Sequence, residues 1–315
     1  MIMKKFFELV ELRTKVASMI PFFIGTVYAV FRFHEFQLYS FGLMFLSLLS
    51  FDMATTAINN YFDYHKAVKK KGYGYEVHNA IVKYNMKPSR VLALIIGLLL
   101  LAIGAGIMLV IQSGLLVLLL GGLSFAVGIL YSFGPIPISR MPLGEIFSGL
   151  FMGFVIIFVS TFIHASDGLA SLTLLNGVVS LQIQLMEVLL VFFISIPAIL
   201  CIANIMLANN ICDVEDDVEN KRYTLPHYIG KSNALLLFRF MYYASYLDLI
   251  VLYFLGVNPF ILLLVLCTVI PVHNNIGRFA AHPTKQHTFG LAVKNFVLSN
   301  VARIAALGIA VLMTI

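Results

Sequence analysis

Apolar residues occupy this chain in long blocks that short polar segments separate. A bilayer core of about 30 Å needs about 20 apolar residues in a helix, so each long block is a candidate membrane span. The pattern predicts nine spans, of which the eighth is short and lies between Pro259 and Pro271. The predicted spans are residues 16–33, 38–61, 91–111, 114–131, 144–164, 186–208, 233–255, 258–273 and 291–313. A further apolar stretch, 166–185, is interrupted by polar residues, and we interpret it as an interfacial loop.

The composition supports the same class of protein. Hydrophobic residues make up 60% of the 315 positions and charged residues only 11%, whereas a soluble domain carries about 25% charge. These proportions exclude a disordered chain, a disulfide scaffold and an ordinary soluble enzyme. The sequence therefore predicts an all-α fold, a polytopic membrane bundle of about nine transmembrane helices. Since no linker or low-complexity tract divides the chain, residues 1–315 are expected to form a single integral-membrane domain.

The basic residues indicate the orientation of the chain. Loops on the cytoplasmic side of a membrane carry an excess of lysine and arginine. If the N-terminus is cytoplasmic, all 21 of these residues except Arg32, Arg239 and Arg303 fall in cytoplasmic segments. This asymmetry predicts a multi-pass protein of the cell membrane with a cytoplasmic N-terminus. It also accounts for most of the net charge of +6 without a nucleic-acid partner.

Polar residues cluster where the second predicted span ends. Asp52, Thr56, Asn59, Asn60 and Asp63 recur at three- and four-residue spacing, which places them in one polar stripe on an otherwise apolar helix. Polar groups at membrane depth are costly and usually face a bundle interior or a wet cavity. The alternative is a helix end that frays into the headgroup region, where its polar side chains are solvated.

A second polar cluster follows the sixth predicted span. Asn209, Asp213 and Asp217 are four residues apart, so on a helix their oxygen-bearing side chains line one face. Carboxylates this close repel one another unless a cation compensates them, and hard oxygen ligands favour Mg²⁺. The alternative is a solvated acidic loop.

Both clusters lie at cytoplasmic helix ends in the predicted topology, and a basic loop follows each of them. Two facing acidic helix ends can hold metal ions that bind a diphosphate, and nearby lysine and arginine residues can neutralise its remaining charge. An apolar bundle can accept a lipid tail and keep water away from a carbocation. The sequence therefore predicts a central cavity that opens to the cytoplasmic side. The metal ions and basic residues at its mouth would promote ionisation of an allylic diphosphate.

Several motifs resemble those of the UbiA-type intramembrane aromatic prenyltransferases, a family with nine helices and two Asp-rich motifs. Asn209, Asp213 and Asp217 match the family pattern NxxxDxxxD. Other segments are similar to the branch of the family that acts on 1,4-dihydroxy-2-naphthoate in menaquinone synthesis. These segments are Arg13–Lys15, the run from Tyr131 to Ile138, Leu143–Glu145 and Lys221–Leu225. The resemblance covers nearly the whole chain.

The first motif departs from the family pattern. The family typically has Asn-Asp-x-x-Asp, often with a further Asp four residues on, whereas this chain has Asn60 at the second position and Ala67 at the last. Asp63 is retained, and Asn60 can still offer a carbonyl oxygen. The change leaves open a different number of metal ions, a weaker metal site, another acceptor or a paralogue without activity.

The resemblance implies Mg²⁺-dependent transfer of a polyprenyl group from polyprenyl diphosphate to an aromatic acid, 1,4-dihydroxy-2-naphthoate, with loss of CO₂. Asp63, Asp213 and Asp217 are then the catalytic carboxylates. They are expected to bind Mg²⁺ with Asn59 and Asn209 as supporting ligands. The candidates for contact with the diphosphate or the acceptor are Lys15, Asn60, Tyr131, Ser132, Arg140 and Arg222.

Other functions stay open on the sequence alone, as does the oligomeric state. Within the family, the acceptor could be 4-hydroxybenzoate, homogentisate or a tetrapyrrole. A cation-coupled transporter could use charged residues inside the spans, such as Asp52, Arg239 and Asp248. A centrally placed charge costs about 2.5–3.5 kcal/mol, so Arg239, Asp248 and Arg303 are expected to find partners or to reach the interface. The altered first motif would also suit a non-catalytic role.

Overall fold

The computed structural model describes residues 2–66, 79–132, 138–219 and 221–314, and most of them are helical. Among these residues, eight helical segments are long and apolar enough to cross a membrane. They are Leu12–Phe33, Leu38–His65, Pro88–Ser113, Gly144–Phe162, Leu185–Cys212, Lys231–Phe254, Pro259–Ala281 and Gly290–Met313. The predicted span 114–131 is also a helix, but its apolar part, Leu115–Leu130, is shorter than the other eight. The prediction of an all-α polytopic membrane protein is confirmed.

Several spans are built from more than one helical piece. The α-helices of the described residues are Ile2–Leu9, Val16–Phe33, Leu38–Lys66, Ala80–Lys83, Pro88–Ser113, Leu115–Ser132, Gly144–Ser148, Ile156–Phe162, Leu185–Cys212, Val214–Glu219, Leu225–Ile229, Lys231–Ala244, Asp248–Phe254, Pro259–Leu266, Val269–Ala281 and Gly290–Thr314. Short 3₁₀ turns cover Leu12–Lys15 and Ile138–Arg140, and Gly149–Val155 is π-helical.

The eighth predicted span is longer than its hydrophobic pattern indicated. It runs from Pro259 to Ala281 and consists of two helices, Pro259–Leu266 and Val269–Ala281. Pro259 is the first residue of one helix and Pro271 the third residue of the other, where the N–H groups have no intrahelical partner. The two prolines therefore begin helices, and the predicted end of this span at residue 273 is wrong.

The contacts within the chain divide it into two compact units. Unit 1 comprises Met1–Met19 and Leu38–Gly114, and unit 2 comprises Ile20–Gln37 and Leu115–Ile315. In unit 1, the helices Leu38–Lys66 and Pro88–Ser113 pack against each other. Its buried apolar cluster consists of Leu9, Ala57, Ala80, Ile81, Val91 and Ile95. The organisation of residues 1–315 as a single domain stays a prediction.

Leu185–Cys212 is the central helix of unit 2. It packs against the spans Gly144–Phe162 and Lys231–Phe254 and against the C-terminal helix. The approach to the π-helical segment is especially close, because a side-chain carbon at Gly153 would lie 2.6 Å from Ile199 Cα. The helix that carries the second polar cluster is thus packed against other helices on several sides.

Arg303 and Asp248 pair with each other inside unit 2, as the cost of an isolated charge in a span leads one to expect. Arg303 donates two hydrogen bonds to the carboxylate, from Nε to Oδ2 at 2.7 Å and from Nη2 to Oδ1 at 2.8 Å. Its other hydrogen bonds go to the Ser245 carbonyl and to both oxygens of Ser299. The Arg239 side chain, in contrast, is exposed on its helix.

Residues 166–185 form a β-hairpin rather than an irregular loop. Strand β1, Ala170–Leu175, pairs antiparallel with β2, Val178–Ile183. Asn176 and Gly177 make the two-residue turn with φ of 50° and 78°, and positive φ at both positions is the geometry that Asn-Gly favours. The predicted loop is therefore a hairpin, which the Asn-Gly turn signal in the sequence favours, and its position at the membrane interface stays a prediction.

Candidate active site

The second polar cluster forms a regular row at the end of the central helix of unit 2. The Asp213 N–H donates to the Asn209 carbonyl at 3.1 Å, and the Asp217 N–H donates to the Asp213 carbonyl at 2.7 Å. Asp213 caps the helix Leu185–Cys212, and Val214–Glu219 follows directly. Asp213 has a non-helical φ of −104° and ψ of 8°, so the row bends at this residue, and the carboxylates of Asp213 and Asp217 still lie close enough to interact.

Each carboxylate of this row pairs with a basic side chain of unit 2. Asp213 Oδ2 contacts Lys285 Nζ. Asp217 Oδ1 lies 3.2 Å from Arg222 Nη1, and its Oδ2 accepts a hydrogen bond from Thr224 Oγ1 at 3.4 Å. The negative charges of the two carboxylates are therefore compensated by two basic side chains.

Asp217 lies in the less solvated part of this cluster. Its side chain is only 5% exposed, compared with 14% for Asp213. Burial raises the pKa of the Asp217 carboxyl group above its usual value, and the neighbouring Arg222 guanidinium opposes that shift. A buried carboxylate beside a second carboxylate gains more from an added cation than an exposed one does.

Two other segments of unit 2 meet the cluster. The Tyr223 N–H donates to the Arg140 carbonyl at 3.3 Å, which places the Arg140 loop beside Arg222. Asn210 Nδ2 donates to Glu145 Oε1 at 2.8 Å, which places the start of the span Gly144–Phe162 beside the row. The structure thus brings Arg140 and Arg222 to the same end of unit 2 as Asn209, Asp213 and Asp217. The side chains of Tyr131 and Ser132 lie outside the described part of the structure.

The Glu145–Asn210 pair leaves two buried oxygen atoms without hydrogen-bond partners. They are Oε2 of Glu145 and Oδ1 of Asn210, one atom from each residue. Both atoms accept hydrogen bonds, and neither has a donor. Glutamine at position 145 would keep an oxygen that accepts from Asn210 and would replace the buried, unpaired carboxylate oxygen with an uncharged amide nitrogen.

We expect Glu145→Gln to keep or raise the thermal stability of the detergent-solubilised protein. Glu145→Ala should instead lower the free energy of unfolding by about 1–3 kcal/mol, because the Asn210 amide is then left buried without a partner. Thermal unfolding of the two variants beside the wild type measures the difference. Equal losses in both variants would contradict the pairing described above.

The first polar cluster belongs to unit 1 and is divided between two environments. Asp52 and Thr56 face inward and bind Lys15, whose Nζ lies 2.5 Å from Asp52 Oδ1 and 2.7 Å from Thr56 Oγ1. Lys15 Nζ also donates to the Asp52 carbonyl at 3.0 Å, so its three hydrogens are used within unit 1. This geometry favours a structural role for Lys15, and its contact with a substrate stays a prediction.

Asn60 is also directed into unit 1. Its Nδ2 donates to the carbonyl oxygens of Leu9 and Thr56 at 3.2 and 3.3 Å, and its backbone carbonyl accepts from Asn79 Nδ2 at 2.8 Å. The buried amide joins the helix end to the N-terminal segment. A substrate contact by Asn60 stays a prediction, and so does metal binding through its carbonyl oxygen.

Asn59 and Asp63 have a different environment on the same helix. Both are exposed and lie four residues apart, so they share a face that the interior of unit 1 does not cover. Ala67, the other departure from the family motif, lies outside the described residues. Of the first motif, Asn59 and Asp63 are therefore the exposed polar side chains, and their part in metal binding stays a prediction.

The donor atoms of the second cluster suit a magnesium ion that binds together with a substrate. The described residues contain no group of three or more His, Cys, Asp or Glu side chains that could hold a metal ion alone. Mg²⁺ seldom uses such a cage, since it binds one or two carboxylates and completes its shell with water and phosphate oxygens. Asp213 and Asp217, with the Asn209 amide in the same row, are a donor set of that kind.

Sequence reasoning missed two members of this site. In the sequence, Lys285 is one of 18 basic residues predicted to be cytoplasmic, and Thr224 is part of a segment that resembles the family. Lys285 lies 72 residues from Asp213 in the sequence, and no local spacing connects them. The only available signal was that both residues fall in loops predicted on the same side of the membrane.

Comparison with known proteins agrees with the motifs. The UbiA prenyltransferase family matches residues 18–289 of the chain. A relative from Bacillus subtilis (strain 168), 1,4-dihydroxy-2-naphthoate octaprenyltransferase, is 31% identical over 269 residues. That alignment covers 84% of this chain and 79% of the relative.

Two solved structures share the fold at low sequence identity. A UbiA homolog from Archaeoglobus fulgidus bound to GPP and Mg²⁺ has a TM-score of 0.65 and 15% identity, covering 98% of this chain and 99% of that one. The apo structure of a UbiA homolog from Aeropyrum pernix K1 has a TM-score of 0.64 and 18% identity, covering 94% and 97%. The arrangement of helices is therefore common to all three proteins.

Proposed function

The chain belongs to the UbiA prenyltransferase family, and we propose that it transfers a polyprenyl group from polyprenyl diphosphate to 1,4-dihydroxy-2-naphthoate. The observation that carries this proposal is the row of Asp213 and Asp217, compensated by Lys285 and Arg222, at the end of an apolar helix. Such a site can bind a charged diphosphate beside an apolar chain. The choice of acceptor rests on the relative from Bacillus subtilis.

The proposed Mg²⁺ ligands are the carboxylates of Asp63, Asp213 and Asp217, with the amides of Asn59 and Asn209 in support. When bound, Mg²⁺ supplies positive charge that stabilises the departing diphosphate.

Basic side chains contribute the rest of the charge balance. Lys285 and Arg222 already lie against the two carboxylates of the second cluster. Lysine and arginine side chains can bind diphosphate oxygens, and charge-assisted hydrogen bonds to phosphate are among the stronger ones. The exposed Arg140, from the neighbouring loop, is a further candidate for this contact.

The proposed reaction replaces one bond to the allylic carbon with another. The carbon–oxygen bond to diphosphate breaks, and the diphosphate leaves with the electron pair. The ring carbon of the acceptor that bears the carboxylate forms the new carbon–carbon bond. CO₂ then leaves, and the electrons of its bond to the ring restore the aromatic system, which gives demethylmenaquinone in its quinol form. The apolar helices would exclude water, which would otherwise capture the allylic cation.

The proposed location follows from the distribution of basic residues. We place the protein in the cell membrane with its N-terminus and its active site on the cytoplasmic side. The contacts among the loops that carry Arg140, Arg222 and Lys285 support this placement, because all three residues are predicted to be cytoplasmic and lie at one end of unit 2. Polyprenyl diphosphate, the aromatic acid and membrane lipid are then the partners.

An assay with several acceptors tests the proposed substrate. Protein in membrane vesicles is incubated with Mg²⁺, a long prenyl diphosphate and either 1,4-dihydroxy-2-naphthoate, 4-hydroxybenzoate, homogentisate or a tetrapyrrole acceptor. We expect a prenylated product by mass spectrometry with the naphthoate alone. Product from another acceptor would reject the naphthoate assignment but retain prenyl transfer. Cation-coupled uptake of solute without diphosphate release would reject the enzyme in favour of a transporter.

Metal binding is expected to depend on diphosphate. Because the site offers two carboxylates and no larger acidic group among the described residues, Mn²⁺ used as a probe for Mg²⁺ should bind weakly to the protein alone. Inorganic diphosphate should raise its affinity by about tenfold or more, which is a typical coupling between two ligands. Electron paramagnetic resonance of free Mn²⁺ measures this change. Equal affinity with and without diphosphate would contradict the shared site.

A further inference from the structure

The β-hairpin of unit 2 is amphipathic across its two faces. In an antiparallel pair, residues opposite each other point to the same side, and successive pairs alternate between sides. The apolar face consists of the pairs Ala170–Ile183, Leu172–Leu181 and Leu174–Val179. The other face consists of the polar pairs Ser171–Gln182 and Thr173–Ser180 and the apolar tip pair Leu175–Val178.

The described residues cover this apolar face only at its base, where Ala170 is buried and Leu172 is half-buried. Leu174, Val179, Leu181 and Ile183 are each more than half exposed. The sequence from 168 to 186 contains no charged residue. An exposed apolar sheet with no charge on it would associate or aggregate in water, so its surroundings in the native protein must be apolar.

The hairpin is fixed at its base to the ends of two membrane spans. Leu169 is fully buried, and its carbonyl accepts a hydrogen bond from the Gln184 N–H at 2.9 Å. Leu185 and Met186, which begin the next span, are both more than half exposed. The exposed apolar surface of β2 therefore continues along the chain into the exposed apolar surface of a membrane-spanning helix.

An ion pair marks the level at which the hairpin leaves the span. Arg32 Nε and Nη2 lie 3.0 and 2.6 Å from the two carboxylate oxygens of Glu187, and both side chains are partly exposed. Charged side chains at the ends of membrane helices lie at the headgroup level. The second strand of the hairpin ends at Ile183, four residues before Glu187, so the base of the hairpin lies at the same level.

We propose that this hairpin lies along the surface of the membrane that the protein spans. Its apolar face enters the boundary between headgroups and acyl chains, and its polar face meets water. Because the hairpin carries no charge, it docks to zwitterionic lipid as well as to anionic lipid, unlike a basic amphipathic segment. The docked hairpin holds the outer end of the helix Leu185–Cys212, whose other end carries Asn209 and Asp213.

A single introduced tryptophan tests this placement, because the chain contains no tryptophan of its own. Leu181→Trp puts the probe on the apolar face, and Ser180→Trp, one residue away, puts it on the polar face. Each variant is inserted as one copy per nanodisc of phosphatidylcholine, with or without phosphatidylglycerol. Quenching of the fluorescence by brominated acyl chains and by aqueous iodide is then measured, after monodisperse elution has shown that the variant is folded.

We expect brominated lipid to quench Leu181→Trp while iodide does not, and the reverse for Ser180→Trp, in both lipid mixtures. Quenching of Leu181→Trp by iodide would overturn the proposal. Protection from both quenchers in these one-copy discs would also overturn it, because protein and not lipid would then cover the apolar face. A requirement for phosphatidylglycerol would contradict docking without charge. If Leu181→Trp does not fold, Val179→Trp places the probe on the same face.

Discussion

Asp217→Asn is expected to reduce Mg²⁺-dependent prenyl transfer by roughly 10²–10³-fold while the protein stays folded. Asparagine keeps the size of the side chain and its hydrogen bond with Thr224, but it removes the negative charge that Arg222 now compensates. The site then loses a hard anionic ligand, and the departing diphosphate loses stabilisation. Asp213→Asn should have a similar effect, because it removes the second carboxylate of the row.

Glu215→Gln is the matched control for these variants. It removes the same charge from the same short helix, but Glu215 is exposed and lies two residues from both Asp213 and Asp217, on the other side of the helix. Its activity should stay close to that of the wild type. Product formation at saturating prenyl diphosphate, with Mg²⁺ varied, measures all three variants. Full activity of Asp217→Asn, or equal losses in Glu215→Gln, would reject the metal assignment.

The largest expected loss of stability follows the removal of one partner of the buried ion pair in unit 2. Asp248→Ala leaves the Arg303 guanidinium buried without its carboxylate, at a side-chain exposure of only 2%. Breaking such a pair costs about 3–5 kcal/mol, because the uncompensated charge stays away from water. Unfolding in mixed detergent micelles, followed by loss of helical signal, measures the change.

The double variant Asp248→Ala/Arg303→Met is the control for this result. Replacing both charges removes the buried ion and its desolvation cost, so most of the lost stability should return. A single variant within about 1 kcal/mol of the wild type would show that the pair is not insulated from water. Additive losses in the double variant would show that the two residues stabilise the fold independently.

The spans were predictable because the length of each apolar block can be read from the sequence. The interruptions of the helix within a span were not predictable. The interruption between the helices Lys231–Ala244 and Asp248–Phe254 falls in a segment that stays largely apolar. The hydrophobic pattern therefore shows a single span there. The prolines at 259 and 271 were misleading for a similar reason, since a proline can begin a helix as readily as end one.

The second polar cluster was predictable in its local geometry and not in its partners. Four-residue spacing implies one helical face, and the hydrogen bonds between Asn209, Asp213 and Asp217 have that geometry. Their cations come from Arg222, close in sequence, and from Lys285, which is far away. The second of these depends on how the helices pack, which periodicity does not record.

The first polar cluster shows the opposite limit of periodicity. The spacing placed Asp52, Asn60 and Asp63 in one stripe, as if they shared an environment. In the structure, Asp52 and Asn60 bind the N-terminal segment through Lys15 and the Leu9 carbonyl, whereas Asp63 is exposed. The N-terminal segment folds back onto this helix, and its contacts decide which polar side chains stay exposed.

One measurement tests the central proposal most directly. Purified protein in nanodiscs is given Mg²⁺, polyprenyl diphosphate and 1,4-dihydroxy-2-naphthoate labelled at the carboxyl carbon, and three products are quantified in the same reaction. The proposal predicts one diphosphate and one labelled CO₂ for each molecule of demethylmenaquinone, counted in its quinol and quinone forms together, with no product when Mg²⁺ is chelated. Folded protein that releases no diphosphate with this acceptor or with any other aromatic acid would contradict it.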